Sequence, residues 1–122
     1  MTEYTKILNG NLVLAIKARY CDSFWSKLKG LMFSRPLKHG EGIVLFAPYE
    51  SVLSTTVHML FVFFPIDIVW LNSTKKVVDV RRNILPFMPF VIPRKAAKYV
   101  VELPKDGAKD IKIGGRLRFK RI

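Results

Sequence analysis

Apolar and polar positions alternate with a period of two over much of this chain. In residues 11–20, Leu12, Leu14, Ile16 and Ala18 alternate with Val13, Ala15, Lys17 and Arg19, which predicts a strand. Asn9-Gly10-Asn11 is a turn signal and predicts a hairpin back to a short opening strand over Tyr4 to Leu8. Further strands are expected over Gly42 to Ala47, Val57 to Phe63, Ile66 to Leu71, Val77 to Ile84, Lys98 to Leu103 and Leu117 to Ile122. Pro65 marks a corner, Asn72 to Lys76 a hairpin loop, and Pro104 to Gly107 a turn.

One segment changes period. Asp22 or Ser23 can cap a helix, and Phe24, Trp25, Leu28, Leu31 and Met32 then fall on one helical face. Ser34-Arg35-Pro36 ends it, because a residue before proline is pushed out of the helical region. Leu85 to Pro93 fits neither period. Its three prolines forbid a helix interior and a central strand, yet it is apolar, so it lies on the body, forms a lid or meets a partner. The expected fold is mainly β (α+β): a compact small barrel or a curled, antiparallel-rich sheet with one short helix packed on it.

The 122 residues suit a single domain over 1–122, and nine Phe, four Tyr and two Trp favour a sheet-rich interior. No secretory signal is visible, and Pro65 and Asp67 break the longest apolar window before it could span a membrane as a helix, so a cytoplasmic protein is expected. Cys21 is the one cysteine and reads as a small half-buried side chain. The formal net charge of +12 makes polyanions plausible partners, with Arg116, Arg118 and Lys120 aligned on one face of the last strand. A solvating lysine-rich surface accounts for the same charge, and no aromatic RNA-binding signature or Gly-X-X-Gly clamp accompanies it.

The stretch from Ser54 to Leu71 is nearly all apolar but carries Thr55, Thr56, His58 and Asp67. Ionisable groups in such company must be hydrogen-bonded, paired or working. His58 is a candidate ligand contact, histidine being a residue type suited to proton exchange and polar contacts, together with Thr55, Thr56 and Arg35, whose guanidinium suits carboxylates or phosphates. A packed, hydrogen-bonded histidine is the plainer reading, and for Arg35 a salt bridge to Asp67 or Glu102. Asp67 and Glu102 read as structural anchors; were they to converge, they could share a proton or hold a cation. No His/Asp/Glu set stands at metal-ligand spacing, and there is no nucleophile elbow, P-loop or dinucleotide fingerprint. No metal, cofactor or catalytic residue is therefore expected.

Several landmarks occur in order: Gly30-Leu31-Met32-Phe33-Ser34-Arg35-Pro36-Leu37, Gly42-Ile43-Val44-Leu45-Phe46, Met59, Pro65-Ile66-Asp67, Pro86, and Glu102-Leu103-Pro104 with Gly107 nearby. Over roughly residues 12–122 the chain resembles domain-of-unknown-function family 192 of bacteria and archaea. The resemblance implies a β-rich, barrel-like fold and no established reaction; a carbohydrate- or small-ligand-binding role has been put forward for relatives. The chain departs from the pattern at Leu60-Phe61-Val62, where many relatives carry Lys-Asn-Thr, and at Gly114-Gly115, where many carry Gly-Asp. The leading expectation is a non-catalytic small-ligand-binding β-domain, its pocket near Thr55, Thr56, His58 and Arg35 and covered by Leu85 to Pro93. The alternatives are a polyanion-binding protein and a small enzyme pairing His58 with Asp67 or Glu102.

Overall fold

The computed structural model describes residues 3–21, 31–32 and 34–121. Among the described residues there are seven strands: β1 (Glu3–Asn9), β2 (Leu12–Cys21), β3 (Glu41–Ser51), β4 (Ile66–Leu71), β5 (Val77–Ile84), β6 (Ala97–Pro104) and β7 (Leu117–Arg121). They form one sheet in the order β5-β4-β6-β3-β2-β1-β7. β2 and β3 run parallel, and every other neighbouring pair is antiparallel. The sheet curls into a half-barrel. Its two edge strands meet at one end through the Lys76–Arg116 bridge, where the Val77 N–H donates to Gly115 O at 2.7 Å and the Leu117 N–H to Lys75 O at 3.0 Å. Gly10, at φ 61°, makes the β1–β2 hairpin turn, a conformation that costs glycine little.

Each face of the sheet carries its own core. Ile7, Ala15, Val44, Val69, Val101, Leu103 and Leu117 pack on one face, closed by Ala108 and Ile111. Ile43, Ile66, Ile68, Trp70 and Val100 pack on the other, under Leu31, Val57, Met59, Val62, Phe64 and Val91. β4 lies between the two, so all six of its residues are buried and all but Asp67 are apolar.

The expected short helix is not borne out among the described residues, because its span from Asp22 to Gly30 lies outside them; Leu31 and Met32 form a turn, and among the described residues helical geometry occurs in a single 3-10 turn at Leu53–Thr55. One expectation needs correction: Val57 to Phe63 is not a strand. Its backbone pairs with the proline-rich segment instead: Val57 and Val91 exchange bonds of 3.0 and 2.7 Å, the Met59 N–H donates to Met88 O at 2.7 Å, and the Phe87 N–H donates to Met59 O at 2.8 Å. The chain then turns at 59–62, with Phe61 at φ 57°. The apolar content that mimics a strand comes from two loops roofing the second core. The proline-rich segment lies on the body as part of that roof.

Candidate ligand-binding site

Glu102 on β6 stands opposite Ile43 of β3 and Ile68 of β4. Ile43 is in turn opposite Arg19 of β2, and Ile68 opposite Arg81 of β5. Cross-strand partners share a face, so Arg19–Ile43–Glu102–Ile68–Arg81 forms a row across the sheet with the carboxylate at its centre. Glu102 is 4% exposed. Burial pushes its carboxyl up to about 7, opposed by the positive charge of Arg19.

Above Glu102 lies a cavity of about 90 Å³ lined also by Leu31, Met32, Thr55, Thr56, His58 and Met59. The 3-10 turn shapes its wall. The Thr55 hydroxyl donates to Ser51 O at 2.6 Å, the Thr56 hydroxyl donates to Val52 O at 3.0 Å, and the Trp70 indole N–H donates to Thr55 O at 2.8 Å. Both threonine hydroxyls thus spend their protons on the turn and keep acceptor capacity. His58 Nδ1 accepts from the Leu60 N–H at 3.2 Å, which puts the proton of a neutral ring on Nε2. Because 55–59 is irregular, Thr55, Thr56 and His58 line one cavity despite their adjacency; strict strand alternation would have divided them.

Arg35 does not line this cavity. It lines a neighbouring recess of about 380 Å³ with Tyr4, Lys17, Arg19 and Glu41; Leu31 and Met32 form a wall of both spaces. Arg35 makes a two-pronged pair with Glu41 at 2.9 and 2.8 Å, in place of the contact to Asp67 or Glu102. That hydrogen bond, with the Lys38 N–H on the same carboxylate, holds Glu41 down at about 2.

Asp67 is fully buried, Oδ1 accepting from the Asn83 N–H at 2.9 Å and Oδ2 from the Ala108 N–H at 3.0 Å. It pairs with Leu103, on the face opposite Glu102, so the two acids do not converge. Asp79 is likewise fully buried, accepting from the Val80 and Arg94 N–H groups, with Arg81 and Arg94 guanidinium groups at 3.7 and 3.9 Å. On the β1–β7 edge, Lys120 stands opposite Lys6, Arg118 opposite Leu8 and Arg116 opposite Lys76. Among the described residues no three His, Cys, Asp or Glu side chains cluster as a metal site would require.

The order of landmarks and the curled sheet have a counterpart in known proteins. A family model described as "Uncharacterized ACR, COG1430", DUF192, matches residues 5–119. The chain belongs to the DUF192 family. Its relatives include a UPF0127 protein of Pyrococcus furiosus, 35% identical over 112 residues, covering 89% of this chain and 91% of that protein. Another, from Pyrococcus abyssi, is 35% identical over 97 residues, or 80% of this chain and 79% of the relative. Against a UPF0127 protein of Thermococcus sibiricus, 32% identical, 72% of this chain matches 54% of the relative's length. Two crystal structures share the fold. A Sinorhizobium meliloti protein described as a candidate transcription regulator superposes with a TM-score of 0.84 at 17% identity, over 98% of this chain and 94% of its own. A Novosphingobium aromaticivorans protein of unknown function does so with a TM-score of 0.78 at 21% identity, over 95% and 83%.

Sequence reasoning singled out Glu102 but as an anchor, and missed Lys17, Arg19 and Glu41 of this DUF192 chain as site-lining groups. A signal existed for Arg19: it shares an outward register with Lys17 beside the buried Ala18. Which strand β2 would meet was not visible, because β2 pairs with β3 in parallel across the 22–40 connection.

Proposed function

We propose that this DUF192 protein is a small-ligand-binding β-domain whose site is the cavity over Glu102 and the basic recess beside it. The observation that carries this reading is the placement of a buried carboxyl in the same apolar cavity as His58, Thr55 and Thr56. A carboxyl that keeps its proton to about 7 both donates and accepts; the His58 Nε2–H donates, its Nδ1 being taken by the Leu60 N–H, and the threonine oxygens accept. Such a lining suits a hydroxylated or amide-bearing group. The cavity of about 90 Å³ has room for a few water-sized groups, so only part of a ligand enters it. The remainder lies in the recess of about 380 Å³, where Lys17 and Arg19 favour an acidic substituent and Arg35 is clipped to Glu41. A sugar acid or hydroxy acid combines both features.

The test is a thermal-shift screen of sugars, sugar acids and hydroxy acids on the wild-type chain and on Glu102→Gln and Arg19→Ala. The reading predicts stabilisation by at least one acidic member, weakened in both variants. A stabilising compound that acts equally on both variants would place the site elsewhere.

A second reading rests on the β1–β7 edge. Like charges face each other there at Lys6–Lys120 and Lys76–Arg116, an arrangement that is unfavourable without an anion between them. A nucleic acid would supply phosphates, and the Sinorhizobium neighbour's description as a candidate transcription regulator agrees with that partner. Retardation of DNA or RNA that weakens steeply with salt and is reduced in Arg116→Ala/Lys120→Ala supports it; no retardation at low salt removes it.

A further inference from the structure

The roof over the second core ends in two neighbouring turns with phenylalanines at their tips. Phe61, Phe63, Leu85, Phe87, Met88 and Phe90 are 42–71% exposed. A contiguous apolar patch of this kind on a water-facing surface marks an interaction site. The turns are not loose. The Met59–Met88 and Phe87–Met59 backbone bonds fasten one to the other, and Phe87 packs edge-on against Phe63 at 5.2 Å and Phe61 at 6.1 Å. Phe61 and Phe87 hold left-handed backbone, φ 57° and 65°, which bulky residues adopt rarely and only where surrounding contacts impose it. Backbone strain is thus spent on holding apolar rings at two adjacent tips.

Charge identifies the occupant. Residues 51–66 and 80–101 together contain no Asp or Glu. Arg94, its side chain 70% exposed, and Lys95 follow the tips directly. The chain as a whole carries +12. We propose that these paired turns dock on an anionic membrane surface, with the phenylalanine tips at the headgroup–acyl boundary and Arg94 and Lys95 among the lipid phosphates. Neither turn crosses the bilayer. Their rings are the anchor and the cations supply attraction that salt screens.

The experiment is sedimentation of the full chain with vesicles of phosphatidylcholine alone, and of phosphatidylcholine mixed with phosphatidylglycerol, at low and high salt. The wild-type chain is expected on the anionic vesicles at low salt, with a weaker fraction on the neutral ones. Phe63→Ser/Phe90→Ser should lower partitioning by about tenfold per ring removed. Arg94→Ala/Lys95→Ala should lower it by about fivefold per charge and flatten the salt dependence. The two phenylalanines and Lys95 are exposed, and Arg94→Ala keeps the backbone N–H that Asp79 accepts and leaves the Arg81 guanidinium beside that carboxylate, so far-UV circular dichroism should be unchanged; if the phenylalanine pair perturbs it, the charge pair decides, and Lys95→Ala alone, which touches no buried acid, checks the charge pair in turn. No partitioning onto anionic vesicles overturns the proposal. So does partitioning that ignores the phenylalanine variant, which would reflect general basic charge. A concentration-dependent dimer abolished by the phenylalanine variant, without vesicle binding, would assign the patch to a second copy of the chain and overturn it as well.

Discussion

Asp67 and Glu102 lie on adjacent strands, yet their carboxyl groups are on opposite faces of the sheet. Glu102 stands opposite Ile68, and Asp67 opposite Leu103. That offset of one residue decides their chemistry, since neighbouring strand residues alternate faces. Asp67 enters the core closed by Ala108 and is fastened by backbone N–H groups on both oxygens. Glu102 enters the core that contains the cavity. An acid–base pair of Asp67 with His58 has no geometric basis, whereas Glu102 and His58 share a cavity wall.

Glu102 should make stability fall as pH rises. The folded carboxyl holds its proton to about 7, while its ordinary value is 4.5. Between these values the folded state binds more protons than the unfolded chain. Stability therefore declines from about pH 4.5 to pH 7, and the loss is complete above that window. At 1.36 kcal/mol for each tenfold, the full effect is about 3 kcal/mol. Glu102→Gln keeps the shape without the charge and should be more stable than wild type by up to about that amount above pH 7, with equality below pH 4.5. Urea titrations across this range check it; an unchanged slope in the variant would remove Glu102 as the source.

Asp67→Asn should destabilise the fold at neutral pH. The amide offers one acceptor oxygen where two N–H groups, from Asn83 and Ala108, now each have one. One buried N–H then faces an NH2 group, at a cost of about 1–3 kcal/mol. The expected result is a lower urea midpoint with unchanged denaturant slope. Ligand affinity should hold, because the residue is on the other face from the cavity.

Trp70→Phe should loosen the cavity wall. The lost indole N–H leaves Thr55 O without its 2.8 Å donor, and the smaller ring leaves space in the second core. A loss of about 2 kcal/mol follows from the broken bond and the incomplete refilling. Hydrogen exchange should show the local part: the Thr55 and Thr56 N–H groups, bonded to Val52 O and Leu53 O, should exchange faster, with β1 unaffected beyond the global change.

Most of the sheet is legible in the sequence, since alternation and turn residues are local signals. Asn9-Gly10-Asn11 announces the first hairpin, and Val77 to Ile84 is β5 to the residue. What failed was 57–63. Its apolar side chains satisfy a strand pattern, but its backbone partner is a proline-rich segment some thirty residues on, and such pairing leaves no periodic mark. The site was half legible for the same reason. Thr55, Thr56 and His58 are conspicuous as polar groups in an apolar run. Their meeting with Glu102 depends on the strand order β4-β6-β3, in which β6 inserts between two earlier strands, and no local signal encodes that insertion.

Gly42 tests how closely β3 must approach β6 beneath the site. A Cβ built there would lie 3.0 Å from the backbone oxygen of Glu102 and 3.1 Å from Leu103 Cδ2. Leucine can turn aside, but the Glu102 carbonyl moves only with its strand. Gly42→Ala should therefore part β3 from β6 slightly, with an overpacking cost of about 1–3 kcal/mol. Because the displaced backbone carries Glu102, the substitution should also weaken whatever compound the wild-type cavity binds. Alanine at the nearby half-buried Gly40 serves as the contrast: its φ of 89° strains any side chain, so stability should fall there too, but its nearest contact is the Ile16 side chain and the cavity is untouched. Equal stability loss with a binding defect confined to Gly42→Ala is the expected pattern, read by urea titration and thermal shift together. Equal binding in the two variants would show that the β3–β6 approach does not set the position of Glu102.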